Sequence, residues 1–68
     1  MDRLVARLQE EAGTFTVEEV CELIRCSRSY VYKCIKAEAI KAGRVGSDYR
    51  IPLQEARRLA REAGVLSD

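Results

Sequence analysis

Apolar side chains recur at helical spacing in four stretches of this chain and alternate in one. The first stretch, Asp2 to Ala12, sets Leu4, Val5, Leu8 and Ala12 on one helical face, and Gly13 stops it. Arg3, Arg7, Glu10 and Glu11 occupy the opposite face. Such a stripe must be covered, either by the domain's own core or by a second copy of the chain.

The second helix has a stronger start signal. Thr16 followed by Glu19 has the spacing of a capping box, in which each side chain satisfies a backbone amide of the other. Phe15 before the cap and Val20 beyond it have the spacing of a hydrophobic staple. Val17, Val20, Cys21 and Ile24 then form one stripe with Leu23 beside it. Glu18, Glu19 and Glu22 remain outside and, being acidic, are expected to face away from any bound phosphate.

Arg25-Cys26 reads as a tight turn, and Ser27 as the cap of a third helix spanning about residues 28–37. Val31, Cys34 and Ile35 supply its inward face. Ser29, Tyr32, Lys33 and Lys36 fall at i, i+3, i+4 and i+7 and therefore share the outward face. Arg28 and Ser29 stand in the first turn, where a helix inserted into the major groove touches bases or phosphates. Tyr30 lies between the two faces.

Ile40 to Val45 and Tyr49 to Ile51 then read as two short strands around Gly46-Ser47-Asp48, a hairpin over about residues 40–51. Alternation puts Tyr49 and Ile51 on one side, inward, and Arg50 on the other. A lone hairpin is unstable, so this one must lean on the helices. Pro52 is placed at the first position of a last helix, with Leu53, Ala56, Leu59, Ala60 and Ala63 as its stripe and Gly64 as its stop. Arg57, Arg58 and Arg61 read as a solvated basic edge. The organisation expected is an amphipathic helix over 1–13 for packing or dimerisation, a domain over 14–64, and a tail over 65–68.

Charge sharpens this outline. The net charge of the 68 residues is only +1, yet it is unevenly spread. Residues 1–24 carry Arg3 and Arg7 against Asp2, Glu10, Glu11, Glu18, Glu19 and Glu22, a net of −4. Residues 25–50 carry Arg25, Arg28, Lys33, Lys36, Lys41, Arg44 and Arg50 against Glu38 and Asp48, a net of +5. The positive third coincides with the helix-turn-helix and hairpin, where phosphates would lie.

Other chemistries find little support. There is no histidine, and Cys21, Cys26 and Cys34 lack the C-x-x-C spacing of a structural zinc site. An odd cysteine count without a secretory signal argues against a disulfide framework. Cys21 and Cys34 fall on apolar faces, and Cys26, in the turn, is expected to be the most exposed of the three. No glycine-rich phosphate loop or catalytic dyad is visible, so neither an enzyme nor a cofactor is expected. No apolar run is long enough to cross a membrane, and the expected location is the cytoplasm, on the nucleoid.

With these motifs in hand, the chain resembles the small winged helix-turn-helix domains of the excisionase family, relatives of the MerR-type DNA-binding domains. Thr16-Val17-Glu18-Glu19-Val20 resembles the family's opening segment. Ser27-Arg28-Ser29-Tyr30-Val31-Tyr32-Lys33-Cys34-Ile35 is similar to its recognition helix, and Arg44-Val45-Gly46-Ser47-Asp48-Tyr49-Arg50-Ile51-Pro52 to its wing. The resemblance covers residues 15 to about 62 and implies a mostly α fold with a small β-hairpin wing, here with an extra N-terminal helix. It implies double-stranded DNA as partner, in transcription regulation or DNA recombination, and the small footprint of one module calls for a homodimer or a cooperative assembly on DNA. Ser27, Arg28, Ser29, Tyr32, Lys33 and Lys36 would meet the major groove and its flanking phosphates. Arg44 and Arg50 would hold the wing on the backbone or in the minor groove. Asp48 departs from the pattern, standing where a basic residue is common, and Tyr30 replaces a small hydroxyl residue. The alternative is a protein-interaction adaptor that kept the fold without DNA binding.

Overall fold

The computed structural model describes residues 3–66, which form α1 (Arg3–Arg7), β1 (Thr14–Phe15), α2 (Val17–Ile24), α3 (Arg28–Lys36), β2 (Gly43–Val45), β3 (Asp48–Pro52) and α4 (Leu53–Glu62). The three strands make one antiparallel sheet in the order β1-β3-β2. The fold class is the one expected: mostly α, with a small sheet compatible with a winged helix-turn-helix.

The capping box forms as its spacing requires. The Glu19 amide donates to Thr16 Oγ1 at 3.1 Å, and the Thr16 amide donates to Glu19 Oε1 at 2.9 Å. The helix ends at Arg25, which turns left-handed (φ 55°, ψ 53°), and the Cys26 amide closes the turn on the Cys21 carbonyl at 3.1 Å. That bond, between an amide just beyond a left-handed residue and a carbonyl five positions back, terminates a helix sharply. Ser27 then caps α3, its Oγ accepting from the Tyr30 amide at 3.2 Å. At the far end Glu38 is left-handed (φ 62°), and the Glu38 and Ala39 amides return to the Ile35 and Cys34 carbonyls at 3.0 and 2.8 Å. This is a Schellman closure, and it drops Ile40 into the core.

The core joins Leu4 and Leu8, Phe15, Val17, Val20 and Leu23 of the first half to Val31, Ile35, Ile40, Ile51, Leu53, Ala56, Leu59 and Ala60 of the second. Leu4 and Leu8 therefore lie in the same core as the helix-turn-helix. In α2 the deepest stripe is Val17, Val20 and Leu23, with Cys21 and Ile24 half-buried on its flank. All three cysteines are free and half-buried, so Cys26 is not the exposed turn residue that its position suggested.

Several boundaries differ from expectation. The helix expected over Asp2–Ala12 spans only Arg3–Arg7, and Asp2 lies outside the described residues. Beyond Arg7 the chain continues in turns, Leu8 to Val5 and Gln9 to Ala6, both at 3.1 Å. The Leu8 and Glu10 carbonyls are claimed by Arg57 instead of by further helical amides, and Ala12 is exposed. The chain must reverse there to deliver β1, a strand too short to leave a sequence signal, which pairs Thr14 with Pro52 and Phe15 with Ile51. The first hairpin strand begins at Gly43, not Ile40, because residues 37–40 close α3. Asp48 joins β3 instead of the loop, leaving the two-residue connection Gly46-Ser47. Its first position needs a positive φ for a type II′ turn, and Gly46 supplies +63°. Pro52 ends β3 and caps α4, one position before the predicted one; with ψ 150° it is extended, and the Leu53 amide donates to Gly13 O at 3.1 Å. Ala63 is exposed and adds nothing to the core. Val65 and Leu66 pack partly against the core, while residues 67–68 lie outside the described span.

The basic edge of α4 is also more than a solvated face. Arg57 Nε donates to the Leu8 carbonyl at 2.7 Å, tying α4 to the N-terminal segment. Arg58 pairs with Glu55 and Glu62 and donates to the Ala39 carbonyl at 2.8 Å, holding the segment that leaves α3. Arg7 does the same for the first half. It pairs with Glu19, donates to the Thr14 carbonyl at 2.7 Å and lies 4.4 Å from the centre of the Phe15 ring.

Candidate nucleic-acid interface

The turn at Arg25-Cys26 and the buried pair Val31 and Ile35 fix which side of α3 faces water. The opposite side carries Ser29, Tyr32, Lys33 and Lys36, all exposed, and with Ala37 these line one shallow depression. The four positions predicted from helical spacing are thus brought together on one surface. Arg28 is exposed at the first turn, with its guanidinium 3.9 Å from Glu18, a loose pair between two well-solvated side chains. Ser27 has a local duty: its oxygen is the N-cap of α3.

Tyr30 and Tyr32 diverge. Tyr30 faces the α4 side of α3 and lines a groove with Ile24, Cys26, Cys34, Leu59 and Glu62. Tyr32 faces the hairpin, its ring 5.9 Å from that of Tyr49 and tilted by 58°. The bulk that Tyr30 adds therefore lies on the flank away from the wing.

The hairpin register decides where its arginines go. Gly43 pairs with Arg50, Arg44 with Tyr49 and Val45 with Asp48. Residues directly opposite share a face, and successive residues alternate. Arg44 therefore lies on the Tyr49 face, with its guanidinium 5.6 Å from the ring centre, whereas Arg50 shares the other face with Val45 and Asp48. As expected, Ile51 is buried, Tyr49 half-buried and Arg50 exposed.

Between hairpin and helices runs a groove of about 220 Å³ lined by Thr16, Val17, Glu18, Tyr32, Asp48, Tyr49 and Arg50. It corrects one expectation. Glu18 does not face away from the basic surface but stands at its edge, with Asp48 in the same groove. Helical periodicity placed Glu18 outside but could not say which neighbour it would meet. Glu19, by contrast, is held in the capping box and by Arg7. Burial alone would raise its pKa, but the Thr16 amide, the Arg7 charge and their hydrogen bonds hold it below the ordinary glutamate value.

Two groups of cations stand out. Arg7, Arg57 and Arg58 are committed to carbonyls and carboxylates of the fold. Lys33, Lys36, Arg44 and Arg50 stand exposed on α3 and the hairpin, and among the described residues none of the four makes an ion pair. The thiols offer no comparable site. Burial and then the neighbouring Cys21 push the Cys26 thiol pKa up, away from a reactive thiolate. The described residues hold no cluster of cysteines and carboxylates fit for a metal ion. No helix among them is long and apolar enough to cross a membrane.

Comparison with known proteins agrees with this geometry. A family model described as a helix-turn-helix domain matches residues 14–63. Neither the curated proteins nor the solved structures return a significant match. The matched span takes in β1, both helices of the motif, the hairpin and nearly all the structured C-terminal part, so the chain belongs to the helix-turn-helix domain family, whose excisionase-like members are small DNA-binding domains.

Proposed function

We propose that the protein is a sequence-specific binder of double-stranded DNA, with α3 in the major groove and the β2-β3 hairpin as a wing on the backbone or in the minor groove. The observation that carries this reading is that Lys33 and Lys36, beside Ser29 and Tyr32 on α3, and Arg44 and Arg50 on the hairpin are all exposed and make no ion pair among the described residues. Lysines and arginines without carboxylate partners on adjacent elements neutralise phosphates and release counterions, while hydroxyl and amine groups at the helix face read base edges. Arg28 joins them from the first turn, and Ser27 holds that turn in shape.

A single module of this size covers only about 600–1,000 Å² of duplex, so useful affinity calls for two or more copies. A dimer or a cooperative array on the nucleoid would supply them, in transcription regulation or as an excisionase-type directionality factor in recombination. The Glu18 and Asp48 carboxylates at the edge of the basic surface are what an adaptor without DNA binding would also display. Capture of fragmented host DNA on the purified protein, followed by sequencing, separates the two. An enriched motif supports the DNA reading, and half-sites about one helical turn apart indicate a dimer. In titrations against the captured site, Lys33→Ala and Arg44→Ala are each expected to lower the salt slope by about one. Folded protein with no salt-sensitive affinity for any duplex refutes the reading and favours the adaptor.

A further inference from the structure

We propose that Tyr32 is a positioning residue as well as a surface one: with Tyr49 it forms an aromatic bracket that fixes the wing against α3 and so carries Arg44 to the duplex. The hairpin needs such a device. Two strands alone do not hold a position in water. β3 is tethered to the body through β1 and Ile51, but β2 is an edge strand whose three residues are all exposed. Beside the packing of Tyr49 and Ala42 against the core, a pair of rings links the ribbon to the recognition helix. Tyr32 and Tyr49 form a tilted pair at 5.9 Å and 58°, a centroid separation at which aromatic rings attract.

The Tyr49 ring is shared. Arg44 stands directly opposite it in the ribbon register, and its guanidinium lies 5.6 Å from the ring centre, within reach of a cation–π contact. Helix, β3 and β2 are thus joined in a single column, Tyr32 to Tyr49 to Arg44. Tyr49 also lines the grooves on both sides of this column, one with Thr16 and Arg50, the other with Ile35, Lys36 and Lys41. The consequence for DNA rests on the function proposed above, but the bracket itself is a property of the free protein.

Two measurements test it separately. Amide ¹⁵N relaxation of the free protein reads the order of Val45 to Asp48 on the ps–ns timescale. Tyr32→Ala, an exposed-helix change to a good helix former, is expected to leave the helices intact and to loosen those amides. Tyr32→Phe, which keeps the ring, is expected to preserve their order. A wing equally ordered in wild type and Tyr32→Ala overturns the bracket. On DNA, a cycle of Tyr32→Ala with Arg44→Ala reads the coupling, since independent contacts add to within about a factor of two. The expected result is that Arg44→Ala costs little more affinity once Tyr32 has been removed. Additive costs overturn the claim that Tyr32 delivers Arg44. If wild type binds no duplex, the DNA reading falls while the relaxation data still decide the bracket.

Discussion

Replacing Glu19 tests the joint that holds the helix-turn-helix to the N-terminal segment. Its carboxylate closes the capping box on the Thr16 amide at 2.9 Å and pairs with Arg7, which in turn binds the Thr14 carbonyl and covers Phe15. Glu19→Gln keeps a capping acceptor but removes the charge. The ion pair is about 30% exposed on both sides, so it belongs between a solvated surface pair and a charged hydrogen bond in a dry site. That places the loss at about 1 kcal/mol. Glu19→Ala also removes the acceptor of the Thr16 amide, the Glu19 half of the capping box, bringing the loss to about 2 kcal/mol. A domain of this length has a total stability of only about 3–10 kcal/mol. In thermal melts at neutral pH, each kilocalorie should lower Tm by about 4–8 °C. The pH dependence isolates the charge. Because the folded-state pKa of Glu19 lies below its ordinary value of 4.5, the pairing stabilises the fold fully above that value. This contribution is lost as pH falls through the folded value. The gap between wild type and Glu19→Gln should therefore close in acid, measured by urea melts across that window. An unchanged gap at neutral and acid pH, or a Gln variant as stable as wild type, refutes the assignment.

Three further outcomes follow from other parts of the fold. Asp48→Asn should tighten duplex binding and Asp48→Lys more so, with the salt slope steepening by about one for the lysine; affinity unmoved by either would place the wing tip away from phosphate. Val31→Asp should unfold the domain, because Val31 is completely buried in the core and a charge there has no partner; a cooperative melt near the wild-type midpoint would contradict the packing. The Cys26 thiol should react with iodoacetamide much more slowly in the native protein at pH 7.4 than in urea, since burial raises its pKa. Fast native alkylation of Cys26, located by mass spectrometry, would show the turn to be open.

The candidate surface was legible in the sequence wherever its geometry is local. Ser29, Tyr32, Lys33 and Lys36 share a face because α-helical spacing leaves no other arrangement once Val31 and Ile35 turn inward. The Thr16–Glu19 box, the Ser27 cap and the Gly46 turn are likewise set by residues within four positions of one another. These contacts form over short chain separations with few alternatives, and local composition is enough to specify them.

What the sequence by itself determined is therefore the order of the four helices and the hairpin, the inward and outward faces of α2 and α3, and the basic character of residues 25–50. Only the tertiary structure decided how α1 ends, since the Leu8 and Glu10 carbonyls go to Arg57, about fifty positions away. It alone decided that β1 exists, because two residues have no period to read and owe their conformation to β3. It set Arg44 and Arg50 on opposite faces of the hairpin, brought Glu18 and Asp48 into one groove, and turned Arg57 and Arg58 from a solvated edge into ties between segments. The physical reason is the same in each case: a carbonyl, a strand or a side chain finds its partner on a segment that folding of the core brings alongside, where neighbours in space are far apart in sequence.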